Sequence, residues 1–491
     1  MEQIPIEGFE GYSKLSKYLL ILLFFLLGIF NHLGTILVMT GGRVLAIELD
    51  MSPYIAIYTS VATLFSVATR LLNSKLFLKV AYKKRVIILC FWVIFGYVLM
   101  FLVLHFHENI LNGYNVLCFI LSFFPCFFLG SSYAFGEAAI LAYLRMFPKP
   151  LIGAWSSGTG LSSIISGGLN LLSQLINGLS LKFMYLFLAP IGILYLIIFT
   201  LTSKLLKKDN NLVGDSSLFK NSSKDKEEED KKDEVINDED KEGKDEEDNS
   251  KEEKLYDTKE EEKKEEETKE EEEKKEEENE ENNDNNNQLD NVNANNQVMN
   301  WHNFTEVMRM SGRVVINLFF IYFTYFICNN SLTIMNASKL DISFLPLETR
   351  DGKLVRKGKY EFINMFFQGG MFTAKTIITL VRKIKPIEVY TFSILTVLII
   401  FFIEYYTGFL PWPVICIFNF VLGFFAGGTY AGAFYVIIHS DQVLPDYKEL
   451  TVNVATLFND LGTFVSGLVG YVLMNFVVNS DTPFEGEEIK E

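Results

Sequence analysis

The residues best suited to chemistry are those out of keeping with their surroundings. Glu137, Asp460, Arg70 and Lys375 each stand in a long, mostly apolar run. An ionisable side chain at mid-depth of a membrane-spanning helix costs at least about 2.5–3.5 kcal/mol, so it faces a wet cavity or a partner. Glu137 ends the stretch Gly130-Ser-Ser-Tyr-Ala-Phe-Gly-Glu137, whose small residues let helices approach closely. A carboxylate buried there wants a proton or a cation. Asp460, within Phe458-Asn-Asp-Leu-Gly462, is the second such acid. The two read as charge-relay or structural acids. Arg70 and Lys375 are candidate anion contacts, with snorkelling to the membrane surface as the alternative for each. Asn31 and Gln368 are candidate hydrogen-bonding groups. Trp155 is followed by Ser156, Ser157, Gly158, Thr159 and Gly160, then Ser162, Ser163, Ser166, Gly167 and Gly168. So many hydroxyls and glycines make either a tight helix seam or a broken helix whose free backbone groups meet a polar ligand, and the two are compatible. Tyr430, among Gly423, Gly427, Gly428 and Gly432, completes the candidate substrate or coupling set.

No catalytic constellation accompanies them. The five His are scattered without HExxH, no Walker loop or GxSxG turn occurs, and no GxGxxG follows a strand. The five Cys lie in apolar stretches without CxxC or Cys/His spacing. The expectation is a protein that is not an enzyme, with no metal site and no cofactor.

The elements that must position these residues are membrane spans. A span needs about 20 mostly apolar residues. Eleven segments qualify: 18–40, 53–72, 86–105, 116–144, 151–176, 183–205, 314–335, 360–381, 387–406, 411–438 and 450–478. The first is long and interrupted by Asn31 and His32, and no small-residue cleavage site follows, so it reads as a retained helix. Lys and Arg concentrate in the second, fourth, sixth and eighth connections, for example Lys75, Lys79, Lys83, Lys84 and Arg85 in the second. Those connections and the N-terminus are therefore expected to be cytosolic. The seventh connection departs from the pattern, with Lys339, Arg350, Lys353, Arg356, Lys357 and Lys359. It is either a small ordered loop or a sign that the span count is off by one. Asn336-Ala-Ser338 is a glycosylation sequon at the non-cytosolic end of the seventh span.

The chain has 491 residues and a net charge of −16, but the acidity is local. Residues 207–300 hold 17 Lys and no Arg against 37 Asp+Glu, so this insert carries −20 and the rest +4. Runs such as Glu270–Glu278 cannot bury enough apolar surface to fold alone. Three regions follow: a six-helix half over 1–206, a disordered cytosolic linker over 207–300, and a five-helix half over 301–491. The linker reads as a solvated spacer, with a cytosolic protein partner as the alternative. The apolar remainder excludes a soluble multidomain enzyme, and the lack of a basic domain excludes a nucleic-acid binder. Membrane lipid is the expected surrounding partner.

The stretch Gly136-Glu-Ala-Ala-Ile-Leu-Ala-Tyr-Leu-Arg-Met-Phe-Pro-Lys149, followed by Trp155-Ser-Ser-Gly-Thr-Gly160, resembles the signature of the battenin family. Collinear matches are Asn31 in the first span, Tyr322-Phe323 with Tyr325-Phe-Ile327 in the seventh, and Met365, Gln368, Gly370, Phe372 and Lys375 in the eighth. Gly408-Phe-Leu-Pro411, then Gly423, Gly427 and Tyr430, and finally Asp460-Leu-Gly462 with Ser466-Gly467 complete the series. Two positions depart from the family: Thr324 stands where it has a carboxylate in the seventh span, and Leu422 where it has a Glu before the glycines of the tenth. Any role of those acids is lost or moved here.

The resemblance implies an all-α, major-facilitator-like bundle in a lysosomal or vacuolar membrane. It implies a link to luminal pH, and transport of glycerophosphodiesters or basic amino acids. Tyr12-Ser-Lys-Leu15 has the form of an endolysosomal sorting signal. The expectation is therefore an alternating-access carrier of a small charged or zwitterionic solute, open to proton coupling. Its rivals are a non-transporting scaffold that regulates vacuolar pH or trafficking, and an equilibrative-nucleoside-type transporter.

Overall fold

The computed structural model describes residues 9, 12–73, 80–110, 113–144, 147–148, 150–176, 179–209, 299–350, 353–381, 387–439, 442–444 and 447–477. The expected disordered linker lies outside the described residues from 210 to 298.

Helices dominate. Before the insert come α1 (Lys14–Thr40), α2 (Gly42–Glu48), α3 (Ile55–Leu72), α4 (Tyr82–Asn109), α5 (Asn115–Leu121), α6 (Phe123–Leu144), α7 (Pro150–Leu175), α8 (Leu181–Leu188) and α9 (Ile191–Asp209). After it come α10 (Trp301–Ile327), α11 (Thr333–Lys339), α12 (Lys359–Val381), α13 (Ile387–Thr407), α14 (Trp412–His439) and α15 (Lys448–Val472). Among the described residues, nine helical stretches are long and apolar enough to cross a membrane. The remaining two expected spans, α7 and α12, are equally long but more polar. Their neighbours explain why. Helix α7 packs on α1 and α12, and α12 packs on α14 and α7, so little of either meets lipid. By contrast α4 and α13 expose Ile87, Phe91 and Phe95, and Phe392, Ile399 and Ile403, the apolar belt a bilayer requires.

Three expected spans are interrupted. Ser122 separates α5 from α6, because Pro125 has no N–H to continue the ladder. Ala189 and Pro190 separate α8 from α9 for the same reason. The seventh span begins earlier than expected, with Asn300 Oδ1 capping α10 by accepting from the Asn303 N–H at 2.7 Å. It then passes through a π-helical turn, Cys328–Leu332, before α11. Such wide turns free backbone and side-chain groups and recur at functional sites.

The seventh connection, between α11 and α12, is an ordered loop among its described residues. It carries the hairpin of β1 (Leu347–Arg350) and β2 (Lys353–Arg356), paired antiparallel from Leu347↔Arg356 to Arg350↔Lys353. Two of its cations serve its own order. Arg356 Nε donates to Asp341 at 3.0 Å, and Lys359 Nζ donates to the carbonyls of Ser338 and Leu340 at 2.7 and 2.9 Å.

Residues on both sides of the insert fold into one compact unit. The helices before the insert meet those after it along α7 with α12 and along α3 with α15.

Candidate functional site

The site is assembled by close helix approach. A Cβ on Gly136 would fall 1.8 Å from Asn31 Oδ1, so only glycine lets α1 press against α6 beside Glu137. A Cβ on Gly160 would fall 2.9 Å from Phe372 Cα, which brings α7 onto α12 beside Lys375.

Those approaches gather charge that the sequence scatters. Arg70 of α3 is buried to 2% exposure, and its guanidinium is shared. Nη2 donates to Glu137 Oε2 of α6 at 2.5 Å, and Nε donates to Asp460 Oδ2 of α15 at 2.6 Å. The Tyr430 hydroxyl of α14 donates to the other Glu137 oxygen, Oε1. Lys375 Nζ of α12 lies 4.3 Å from the centroid of the Tyr430 ring and donates to Thr159 Oγ1 of α7 at 3.0 Å. Four ionic side chains from four helices, two of each sign, therefore neutralise one another in the protein interior. Glu137, Lys375 and Asp460 are as buried as Arg70, so the snorkelling alternatives for Arg70 and Lys375 fall.

Asn31 adjoins this cluster. Its Nδ2 donates to the Tyr133 carbonyl at 3.3 Å and lies 3.4 Å from His32 Nδ1. His32 Nε2 lies 3.7 Å from Glu137 Oε1, and its ring is held edge-on by Tyr133 and Trp155, at centroid distances of 4.7 and 5.5 Å. Beside the cluster is a cavity of about 50 Å³ whose lining includes His32, Lys375, Tyr430 and Asp460. Thr40, Asn329, Asn330 and Gln368 also line it. That volume holds roughly three water molecules. Gln368 Nε2 donates to Asn364 Oδ1 at 3.2 Å, and Asn330 Nδ2 reaches across the two halves to Thr59 Oγ1 at 2.9 Å.

Of the residues singled out in the sequence, Arg70, Glu137, Asp460, Tyr430, Lys375 and Thr159 form the cluster, Asn31 flanks it, and Gln368 lines the cavity. Gly158 belongs to the α1–α7 seam: a Cβ there would fall 2.0 Å from the Phe25 carbonyl oxygen. Ser156 and Ser157 are buried on the same helix and line no described cavity. Asn336 requires a correction. It sits inside α11, 3% exposed, with Nδ2 donating to the Phe401 carbonyl at 3.2 Å, so the folded chain does not offer it to a glycan.

Several cavity residues were not among those chosen from the sequence: His32, Tyr133, Tyr322, Asn329, Asn330 and Asn459. The signal for Asn329 and Asn330 was their adjacency in an apolar run, and for His32 its place beside Asn31. A second pocket, of about 240 Å³, lies at the ends of α2, α4 and α8, lined by Glu48, His107, Glu108 and Lys182. Burial, then the nearby Glu108, pushes the Glu48 carboxyl above its usual range.

The architecture is that of a multi-pass helical membrane protein. It resembles the structure of a POT family transporter in complex with 5-aminolevulinic acid, at TM-score 0.50 and 11% identity, covering 96% of this chain and 92% of that one. A POT family transporter in complex with a thioalcohol-conjugated peptide aligns at TM-score 0.45 and 12% identity, over 96% and 92% of the two chains. Residues 22–480 match the model of the CLN3 protein family, and the chain belongs to that family. Battenin of Dictyostelium discoideum is 28% identical over 135 residues, a stretch that covers 28% of this chain and 29% of that protein. The family is the one that the block from Glu137 to Gly160 resembles.

Proposed function

We propose that this protein is an alternating-access carrier of the lysosomal or vacuolar membrane. It moves a small charged or zwitterionic solute, a glycerophosphodiester or a basic amino acid, and so contributes to luminal pH balance. The N-terminus and the acidic linker face the cytosol, as the Lys and Arg distribution supports.

The observation that carries this reading is the buried Arg70–Glu137–Asp460 network beside a cavity where the two halves meet. A buried ion pair is a poor stabiliser, since desolvation offsets most of its Coulomb gain and an apolar replacement often serves better. A passive anchor has no use for one at this seam. A carrier does, because the two halves rock about a midplane site and the same groups can grip a polar solute in transit.

The test is uptake by proteoliposomes containing the purified full chain, with labelled glycerophosphocholine, glycerophosphoglycerol and arginine as separate probes. Uptake of at least one probe well above protein-free liposomes is expected. Glu137→Gln should return it to background while the variant remains monodisperse and correctly inserted. Absence of uptake for all three probes, or full uptake by Glu137→Gln, would refute the assignment.

A further inference from the structure

The central charges leave one account open. Arg70 and Lys375 are balanced by Glu137 and Asp460. A monoanion entering the cavity would leave a net negative charge in a low-dielectric interior, which is strongly uphill. One further proton would restore neutrality, and the structure contains a group placed to take it.

His32 lines the cavity and is 3% exposed. Its Nε2 has no hydrogen-bond partner within the protein, although Glu137 Oε1 is 3.7 Å away. Asn31 Nδ2 stands 3.4 Å from Nδ1, and with that N–H donating, the neutral ring carries its hydrogen on Nε2 and a bare lone pair on Nδ1. An added proton binds at Nδ1. Both ring nitrogens then need acceptors, and both are at hand. Glu137 Oε1 faces Nε2, and rotation of the Asn31 amide turns its unpartnered Oδ1 toward Nδ1 in exchange for the bond from Nδ2 to the Tyr133 carbonyl.

The groups around the ring define when this happens. Glu137 and Tyr133 face it from α6, Arg70 from α3 and Lys375 from α12. Tyr430 of α14, Tyr322 of α10 and Asp460 of α15 complete the cavity wall. A proton on His32 adds to two cations and is unfavourable while the cavity is empty. An anion beside those cations removes the excess. Each therefore promotes binding of the other, and the coupling is reciprocal.

We propose that His32 is the proton site of this carrier: a monoanionic solute enters together with one proton bound at His32 Nδ1, whereas a net-neutral solute enters without one. The inference rests on the carrier reading. Its test uses two probes of one chemical class that differ in charge, monoanionic glycerophosphoglycerol and zwitterionic glycerophosphocholine. The full chain is reconstituted in liposomes loaded with a pH-sensitive dye.

For the wild type, uptake of the anion should acidify the interior, and uptake of the zwitterion should not. In His32→Gln and His32→Asn the pH signal should vanish, and anion uptake should fall about tenfold more than zwitterion uptake does. Anion uptake with an unchanged pH signal in both variants would overturn the proposal and leave the carrier reading intact, as would wild-type anion uptake without acidification. Loss of both probes in both variants, with monodisperse protein, would make His32 a structural residue and also overturn it. Failure of the wild type to move either probe would remove the carrier reading for this solute class and this inference with it.

Discussion

A single guanidinium holds the centre together. Arg70 offers Nε to Asp460 and Nη2 to Glu137, two carboxylates on different helices, and Arg alone has donors in that fixed fork. A lysine in its place has one nitrogen and can satisfy one acid well. Arg70→Lys should therefore lower uptake at least about tenfold while the protein still folds. Arg70→Met is harsher, since it leaves two carboxylates buried against a single remaining cation, at a cost of about 3–5 kcal/mol. Glu137→Gln breaks one of Arg70's two ion pairs and leaves the one with Asp460, so a smaller loss of about 1.5–3 kcal/mol is expected. Thermal unfolding in detergent should thus rank Arg70→Met well below Glu137→Gln, although neither transports. Equal stabilities would mean that the charges are not coupled as the distances indicate. The departures at Thr324 and Leu422 belong to this scale too. Thr324 turns its hydroxyl to the Phe320 carbonyl of its own helix at 2.7 Å, and Leu422 is buried in apolar packing. Neither contributes charge, which leaves Glu137 and Asp460 as the acids of the cluster.

Between helices, backbone proximity matters more than side-chain chemistry. The serine- and glycine-rich start of α7 looked in the sequence like either a seam or a ligand cradle. Most of it is seam: Gly158 meets α1, and further along Ser166 Oγ donates to the Leu33 carbonyl at 3.2 Å and Asn170 Nδ2 to Thr40 Oγ1 at 2.8 Å. Only Thr159 reaches an ionic partner. Because the Phe25 carbonyl at Gly158 is main chain, it cannot step aside. Gly158→Ala should force α1 and α7 apart at a cost of about 1–3 kcal/mol. Gly168→Ala is its control. The nearest atom to a Cβ there is the flexible Met365 Cε at 3.9 Å, so the change should be neutral or stabilise by about 0.5–1 kcal/mol through helix propensity. Unfolding curves of the two purified variants decide the matter, and a matching loss in both would refute seam packing. The spans themselves were legible because lipid demands apolar helices of fixed length. Their interruptions were less so. Pro125 and Pro190 are visible breakers, but the π-helical turn at Cys328–Leu332 has no such breaker, and the contact of its Asn330 with Thr59 in another helix is one that no local pattern encodes.

Across the whole molecule, pairing of residues far apart in sequence decides what the halves do. The charges of the centre could be named from the sequence, but Arg70 and Asp460 are 390 positions apart, and their meeting depends on the register of α3 against α15. His32 was legible as a residue and not as a participant, because a lone histidine in an apolar run reveals nothing of the acid facing it. A second long-range pair joins α2 to α12. Arg43 Nη1 of α2 donates to both oxygens of Glu361 in α12, at 3.0 and 3.2 Å, and Glu361 is 1% exposed. This bridge ties the half before the insert to the half after it, close in the chain to Thr40, which lines the cavity. If the halves part there, the bridge must break, so it acts as a latch on that face. Arg43→Glu sets two carboxylates against each other and should favour the parted state. A cysteine at Thr40 should then react about tenfold faster with a membrane-impermeant maleimide than in the otherwise unaltered chain. The native cysteines are all buried, which keeps the background low. Exchanging the pair as Arg43→Glu with Glu361→Arg restores opposite charges and should slow the reaction again. Labelling that ignores all three states of the pair would mean that the cavity opens elsewhere, and that Arg43 and Glu361 only fasten one helix end to another.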